Sequence, residues 1–147
     1  MKWVTRAGCH VDRTACAWLI RRFIDADAEF TFVTDPSQLP ADATPFDIAP
    51  HPFSHHEGMS TFEVMVRHYG LEDDGLDALG RIVHEADIED ERFDAPEAAG
   101  LDAIVRGLGS QMDDGRLLEV TGGIYEGLLA HLRRRLAGAE GFEPSIS

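Results

Sequence analysis

Residues 2–25, KWVTRAGCHVDRTACAWLIRRFID, change period part-way along, and that change sets the class of fold. The opening KWVT is short and β-prone. From about Asp12 onward, Ala15, Leu19 and Phe23, with Cys16, Ile20 and Ile24, recur at helical spacing, so a strand should hand over to a helix beginning near Asp12. AEFTFVTD (28–35) alternates apolar and polar residues and reads as a second strand, PFDIA (45–49) as a weaker one, and PSQLPADATP (36–45) as a loop. Beyond Thr61 the pattern is helical almost to the end. Phe62, Met65, Val66 and Tyr69 form one apolar stripe closed by Gly70, and Leu76, Leu79, Val83 and Ala86 form another. A helix after Pro96 should turn Leu101, Ile104, Val105 and Leu108 inward. A longer one over about residues 113–137 carries Leu117, Ile124, Tyr125, Leu128, Leu129, Leu132 and Leu136, with Arg133, Arg134 and Arg135 suited to the negative end of its dipole. The expected class is α+β and predominantly α-helical, a small N-terminal strand region packed with four to five helices. One domain over residues 1–138 and a tail over 139–147 account for a chain of 147 residues.

Thirteen Lys and Arg against 27 Asp and Glu leave a formal charge of -14, which repels nucleic acid and anionic membrane surfaces and favours cations as partners. Much of that acidity lies in LEDDGLD and EADIEDERFDAPE, runs that ordinarily mark solvated helix faces. Two cysteines, Cys9 and Cys16, form no CxxC pair and fit no common zinc spacing. The N-terminus lacks the apolar core of a signal peptide, and no long apolar run suggests a membrane span. The expectation is a reduced, cytoplasmic protein.

Three clusters carry ligand-type chemistry. In CHVDR, His10 and Asp12 sit where the strand meets the helix, with Arg13 in the first turn; Asp12 is also a natural N-cap. In DIAPHPFSHHEGMSTFE (47–63), His51, His55, His56 and Glu57 occupy a loop, and Glu63 follows on a helix. STFE fits the capping box, so Glu63 is open to two roles, cap and ligand. In IVHEADIED, His84 and Asp87 lie three apart on a helix, and Asp90 follows one turn later. A fold that brought three helix edges together would gather His10, His55 or His56, and His84 with Asp87 into one site, three protein ligands plus water being the usual catalytic arrangement. HExxH, GxSxG and phosphate-binding glycine loops are absent from the sequence.

TRAGCHVDRTACAWLIRRFIDADAEFTFV, PFDIAPHPFSHHEGMSTFE and IVHEADIEDERFDAPEAAGLDAIVRGL resemble the C-terminal domain of the chromate-resistance regulator ChrB, over about Thr5 to Leu136. The resemblance runs through His10, Asp12, Arg13, Cys16, Trp18 and Asp25, then Phe53, His55, Thr61, Phe62 and Glu63, then His84 and Asp87. It picks out His55 over His51 and His56. Ser60 stands where the family often has cysteine, so no thiol role arises there. The resemblance implies a stand-alone form of the regulator's sensor or accessory domain, without its separate DNA-binding region.

Two expectations of function follow. In the first, His10, His55, His84 and Asp87 hold a divalent or transition metal ion (Zn, Fe or Mn), Glu63 serves as a further ligand or supporting group, and Arg13 holds a small anionic or oxidised substrate for a metal-dependent reaction. In the second, the metal or an oxyanion such as chromate shifts a packing equilibrium in a sensor without turnover. The leucines of GLLAHLRRRL suit a homodimer seam as well as a core within one chain.

Overall fold

The computed structural model describes residues 1–88, 90 and 92–139. Three short strands form a wholly parallel sheet in the order β2–β1–β3, with β1 at Lys2–Arg6, β2 at Glu29–Val33 and β3 at Thr44–Pro45. Parallel neighbours need a crossover, and the helix read from residues 10–25 supplies it between β1 and β2. That helix, α1 (Val11–Leu19), runs on into a single π-helical turn at Ile20–Ile24. β3 ends earlier than PFDIA suggested, because Asp47 takes a left-handed φ of 56° and breaks the extended run, although the Phe46 amide still donates to Val4.

Four further helices follow: α2 (Thr61–His68), α3 (Asp74–Ile88), α4 (Glu97–Gly109) and α5 (Asp114–Ala139). The architecture is α+β and mostly helical, as the period change indicated. Eight of the nine residues of α1 are buried, since α2, α3 and α5 all pack on it and place it at the centre. Trp3, Phe46, Phe62, Leu79, Tyr125 and Leu132 fill the core around it, each contributing about 1.5–3 kcal/mol by burial. The Tyr125 hydroxyl donates to the Val11 carbonyl and meets Thr14, so α5 is keyed to the first turn of α1.

α2 ends in a Schellman turn. Gly70 has φ 61°, its amide donates to Arg67, and the Leu71 amide reaches Val66. On α4 the inward stripe is Ala98, Leu101 and Val105; Ile104, expected to join it, is 51% exposed because α4 is covered on one side only. Leu129 and Leu132 of α5 are spent on the core, and Arg133 and Arg135 tie the helix to Asp73 and Glu97 rather than capping its own end. Ala139 closes α5, and the remainder of the tail expected over 139–147 lies outside the described residues. Among the described residues no helix is long and apolar enough to cross a membrane.

Candidate functional site

Asp12 organises the site. The residue preceding α1 is His10, so Asp12 falls inside the first turn rather than at the cap position. Its carboxylate instead caps a different helix. Oδ2 accepts the Thr61 amide at 2.8 Å and Oδ1 the Phe62 amide at 2.9 Å, the two leading N–H groups of α2. Helix N-termini leave such amides unsatisfied and favour negative charge, which is how a fully buried carboxylate is tolerated here. The Cys16 thiol adds a weaker contact to Oδ1 at 3.5 Å.

Three side chains from other elements converge on Asp12. His55, on the loop before α2, places Nε2 at 2.9 Å from Asp12 Oδ2, 3.5 Å from Asp87 Oδ2 and 3.6 Å from Asp47 Oδ1. Asp47 is held by Arg13, whose Nε donates to Oδ2 at 2.8 Å, and by the Thr61 hydroxyl on Oδ1 at 2.7 Å. Asp87 comes from α3. The donor atoms of Asp12, His55 and Asp87 all lie within 4.8 Å of one another. The Asp12 end is buried, whereas the His55 side chain is 46% exposed, so the group opens to solvent on one side.

The electrostatics follow from crowding. The hydrogen bond to Asp12 raises the His55 pKa to about 9; burial opposes this, and the charges of Asp12, Asp47 and Asp87 add to it. Burial, then the Asp12 and Asp47 charges, lift Asp87 to about 6, with His55 pulling the other way. Asp47 is raised by burial and by Asp12, against Arg13. Three carboxylates therefore strain against one another around a single imidazole.

His84 stands in a second group. It is fully buried on α3, with Nδ1 at 2.6 Å from Glu63 Oε1 and Nε2 at 2.9 and 3.0 Å from the two oxygens of Asp90. Phe93 packs edge-on against its ring at 5.0 Å. Burial lowers its pKa, but the hydrogen bonds to Asp90 and Glu63 outweigh that and leave it raised. Glu63 Oε1 also accepts the Ser60 amide at 2.9 Å, and Ser60 Oγ accepts the Glu63 amide, completing the capping box. The cap and the histidine contact thus share one oxygen.

The set expected to form one site is divided. His55 and Asp87 meet; His84 turns to Glu63 and Asp90; and His10 is exposed beside α1, lining a hollow with Gly8, Cys9, Arg106 and Asp114. His56 faces Ser54 and the His51 carbonyl. Arg13 is engaged within the chain, with Nη1 directed at the Arg6 and Gly8 carbonyls. Asp12 and Asp47 are the residues that reading by position undervalued. Asp12 passed for an ordinary cap, and Asp47 carried no signal until its left-handed backbone and its Arg13 contact were visible. Burial holds the Cys9 and Cys16 thiols above their ordinary range, so neither offers a thiolate. A groove of about 770 Å³ runs along α2 and α3 past Phe62, Glu63, Gly80 and Phe93, away from the His55 group.

The profile of the family described as ChrB, C-terminal domain, matches residues 3–132. Protein ChrB of Cupriavidus metallidurans is 39% identical over 132 residues, covering 88% of this chain and 40% of that protein. The chain thus spans about two fifths of the length of the relative it matches. No solved structure matches it. A match across most of the chain, running through all three clusters, makes this chain a member of the family of ChrB C-terminal domains.

Proposed function

We propose that the chain is a metal-binding domain in which Asp12, His55 and Asp87 hold one divalent or transition metal ion. The observation that carries this reading is the convergence of their donor atoms from three separate elements. Ligands about 2.1 Å from an ion stand roughly 3.0–3.4 Å apart, and His55 Nε2 lies 2.9 and 3.5 Å from the two carboxylate oxygens. Charge also fits. With His55 neutral, Asp12, Asp47 and Asp87 against Arg13 leave a net of about two negative charges, which a divalent ion cancels. An oxygen-rich set with one imidazole suits Fe or Mn better than Zn, which more often draws on nitrogen and sulfur.

Around such an ion the chain's own residues have distinct tasks. The α2 amides orient Asp12, and Arg13 with Thr61 holds Asp47 beside the ion. Glu63 braces the N-terminus of α2 from outside. The solvent-facing side at His55 leaves room for water or a small anionic or oxidised substrate. A bound metal would supply acidified water or one-electron exchange there. The Nε of Arg13 is taken by Asp47 and its Nη1 faces the Arg6 and Gly8 carbonyls, which favours an orienting task for it over capture of a substrate.

A second reading, a sensor for a metal or for an oxyanion such as chromate without turnover, is favoured by one observation. Asp12 joins α1 to α2, so a ligand on Asp12 acts directly on helix packing. Direct capture of an oxyanion would work against a chain charge of -14 without a metal's local field.

The test is elemental analysis of protein purified without chelator, beside His55→Ala, with circular dichroism on both. About one equivalent of metal in the wild type, lost in a folded variant, supports the site. Absence of metal together with failure to take up added Mn, Fe or Zn would sink it. The water relaxivity of the Mn(II)-loaded protein then separates an open, reactive ion from a closed, sensing one.

A further inference from the structure

α3 reaches α2 and Asp12 by two side chains one turn apart. Asp87 points to His55, while His84 grips Glu63. Glu63 lies in the first turn of α2 and closes the capping box on Ser60, and the next two amides, Thr61 and Phe62, are those that hold Asp12. The contacts run without a gap from Asp90 through His84, Glu63 and the leading turn of α2 to the Asp12 carboxylate.

Both ring nitrogens of His84 face carboxylate oxygens and the ring is fully buried, so no lone pair is free to turn toward His55. Asp90 and Glu63 face the ring from its two ends and Phe93 from its side. A residue hydrogen-bonded to a ligand orients it without touching the ion, and His84 stands one step further out, reaching Asp12 through Glu63 and the α2 amides.

We propose that His84 is a positioning residue for the Asp12–His55–Asp87 centre, setting the seat of the α2 N-terminus against α3 and hence the placement of Asp12 relative to Asp87. This rests on the metal-binding reading. It gives His84, a member of the same sequence cluster as Asp87, a task other than ligation. Loss of a hydrogen bond made directly to a ligand weakens metal binding by about 10- to 100-fold; acting through Glu63 and the α2 amides, His84 is expected at the lower end of that range, with the ligand count intact.

The experiment uses the full chain, stripped of metal and titrated with Mn(II), as wild type, His84→Gln and His55→Ala, together with amide hydrogen exchange on the metal-free proteins. His84→Gln is expected to retain one Mn(II) per chain with affinity lowered about 10-fold. Its Thr61 and Phe62 amides should exchange at least about tenfold faster, while those in the middle of α4 keep their rates. Wild-type affinity in His84→Gln would overturn the proposal. So would complete loss of the site with Thr61 and Phe62 still protected, which would make His84 a ligand. If the wild type binds no Mn(II), Fe(II) or Zn(II), the metal-binding reading fails, and the two amides alone decide whether His84 seats α2. Should His84→Gln not fold, Asp90→Asn weakens the same brace from an exposed position and is read the same way.

Discussion

Two imidazole–carboxylate groups lie on the two sides of the α2 N-terminus, and they are built inside out relative to each other. In the first, the carboxylate is buried: Asp12 is 0% exposed while the His55 side chain is 46% exposed. In the second, the imidazole is buried: His84 is 0% exposed, with Glu63 at 19% and Asp90 at 40%. A buried polar group needs a partner for each of its polar atoms, and both have them. Asp12 takes two helix amides, an imidazole and a thiol, and His84 takes a carboxylate on each nitrogen. The member left in solvent is the one free to change partners. At the first group that member is a histidine, which can exchange a proton for a metal ion; at the second it is the Asp90 carboxylate, at the surface end of the contacts that hold His84. On the readings proposed above, the same residue types make a binding edge in one place and a brace in the other.

The contrast is tested most severely at its buried members. Asp12→Ala strips two leading amides of their acceptor, and at about 1–3 kcal/mol for each unsatisfied group the metal-free protein should lose about 2–6 kcal/mol in urea unfolding. A loss below about 1 kcal/mol would mean the amides find water and the cap is dispensable. His84→Leu removes a partner of Glu63 and should cost about 1–2 kcal/mol by the same measurement, since Asp90 lies at the surface, where water replaces the lost contact.

Asp87 works in the opposite direction. Its folded pKa of about 6 against an ordinary 3.8 means that stability is lost as pH rises through that interval. Asp87→Asn should therefore stabilise the metal-free protein at pH 7, by about 1 kcal/mol once solvent screening is allowed for, while weakening metal uptake. Thermal melts of the two apo proteins check this; a destabilised variant would show that Asp87 serves structure rather than binding.

The smallest effect is expected at His55. Its folded pKa is raised to about 9 from 6.5, so its contribution is complete below 6.5 and gone above about 9. Because the ring is nearly half exposed, the difference between wild type and His55→Ala should shrink across that window by less than about 1 kcal/mol. Metal uptake, by contrast, should strengthen over the same interval as the competing proton leaves.

The fold was more legible than the site for a physical reason. Helices α1 to α5 announce themselves through 3.6-residue periods such as Leu76, Leu79 and Val83, and a local pattern suffices to detect them. Capping is local too, and the Ser60–Glu63 box is present where STFE predicted it. The site depends on which helix edges meet, and no local period encodes that. His84 and Asp87, three residues apart, looked like one ligand pair, yet a helical turn of about 100° per residue is enough to send one to Glu63 and the other to His55. Asp12 resembled the cap of its own helix because cap preference says nothing about which helix is capped. Ile104 went astray for a related reason, since an apolar stripe does not say how far the neighbouring helices extend over it.

The capping of α2 by a side chain 49 positions away also bears on how the chain reaches this fold. An eight-residue helix is too short to persist in water alone, and here its leading amides find their acceptor only after α1 has docked. α2 is thus a conditional element, whose nucleation is deferred to a tertiary event. Excised as a peptide it should be a coil, and in the folding transition state its contacts should be no more formed than those between α1 and the chain segment it meets.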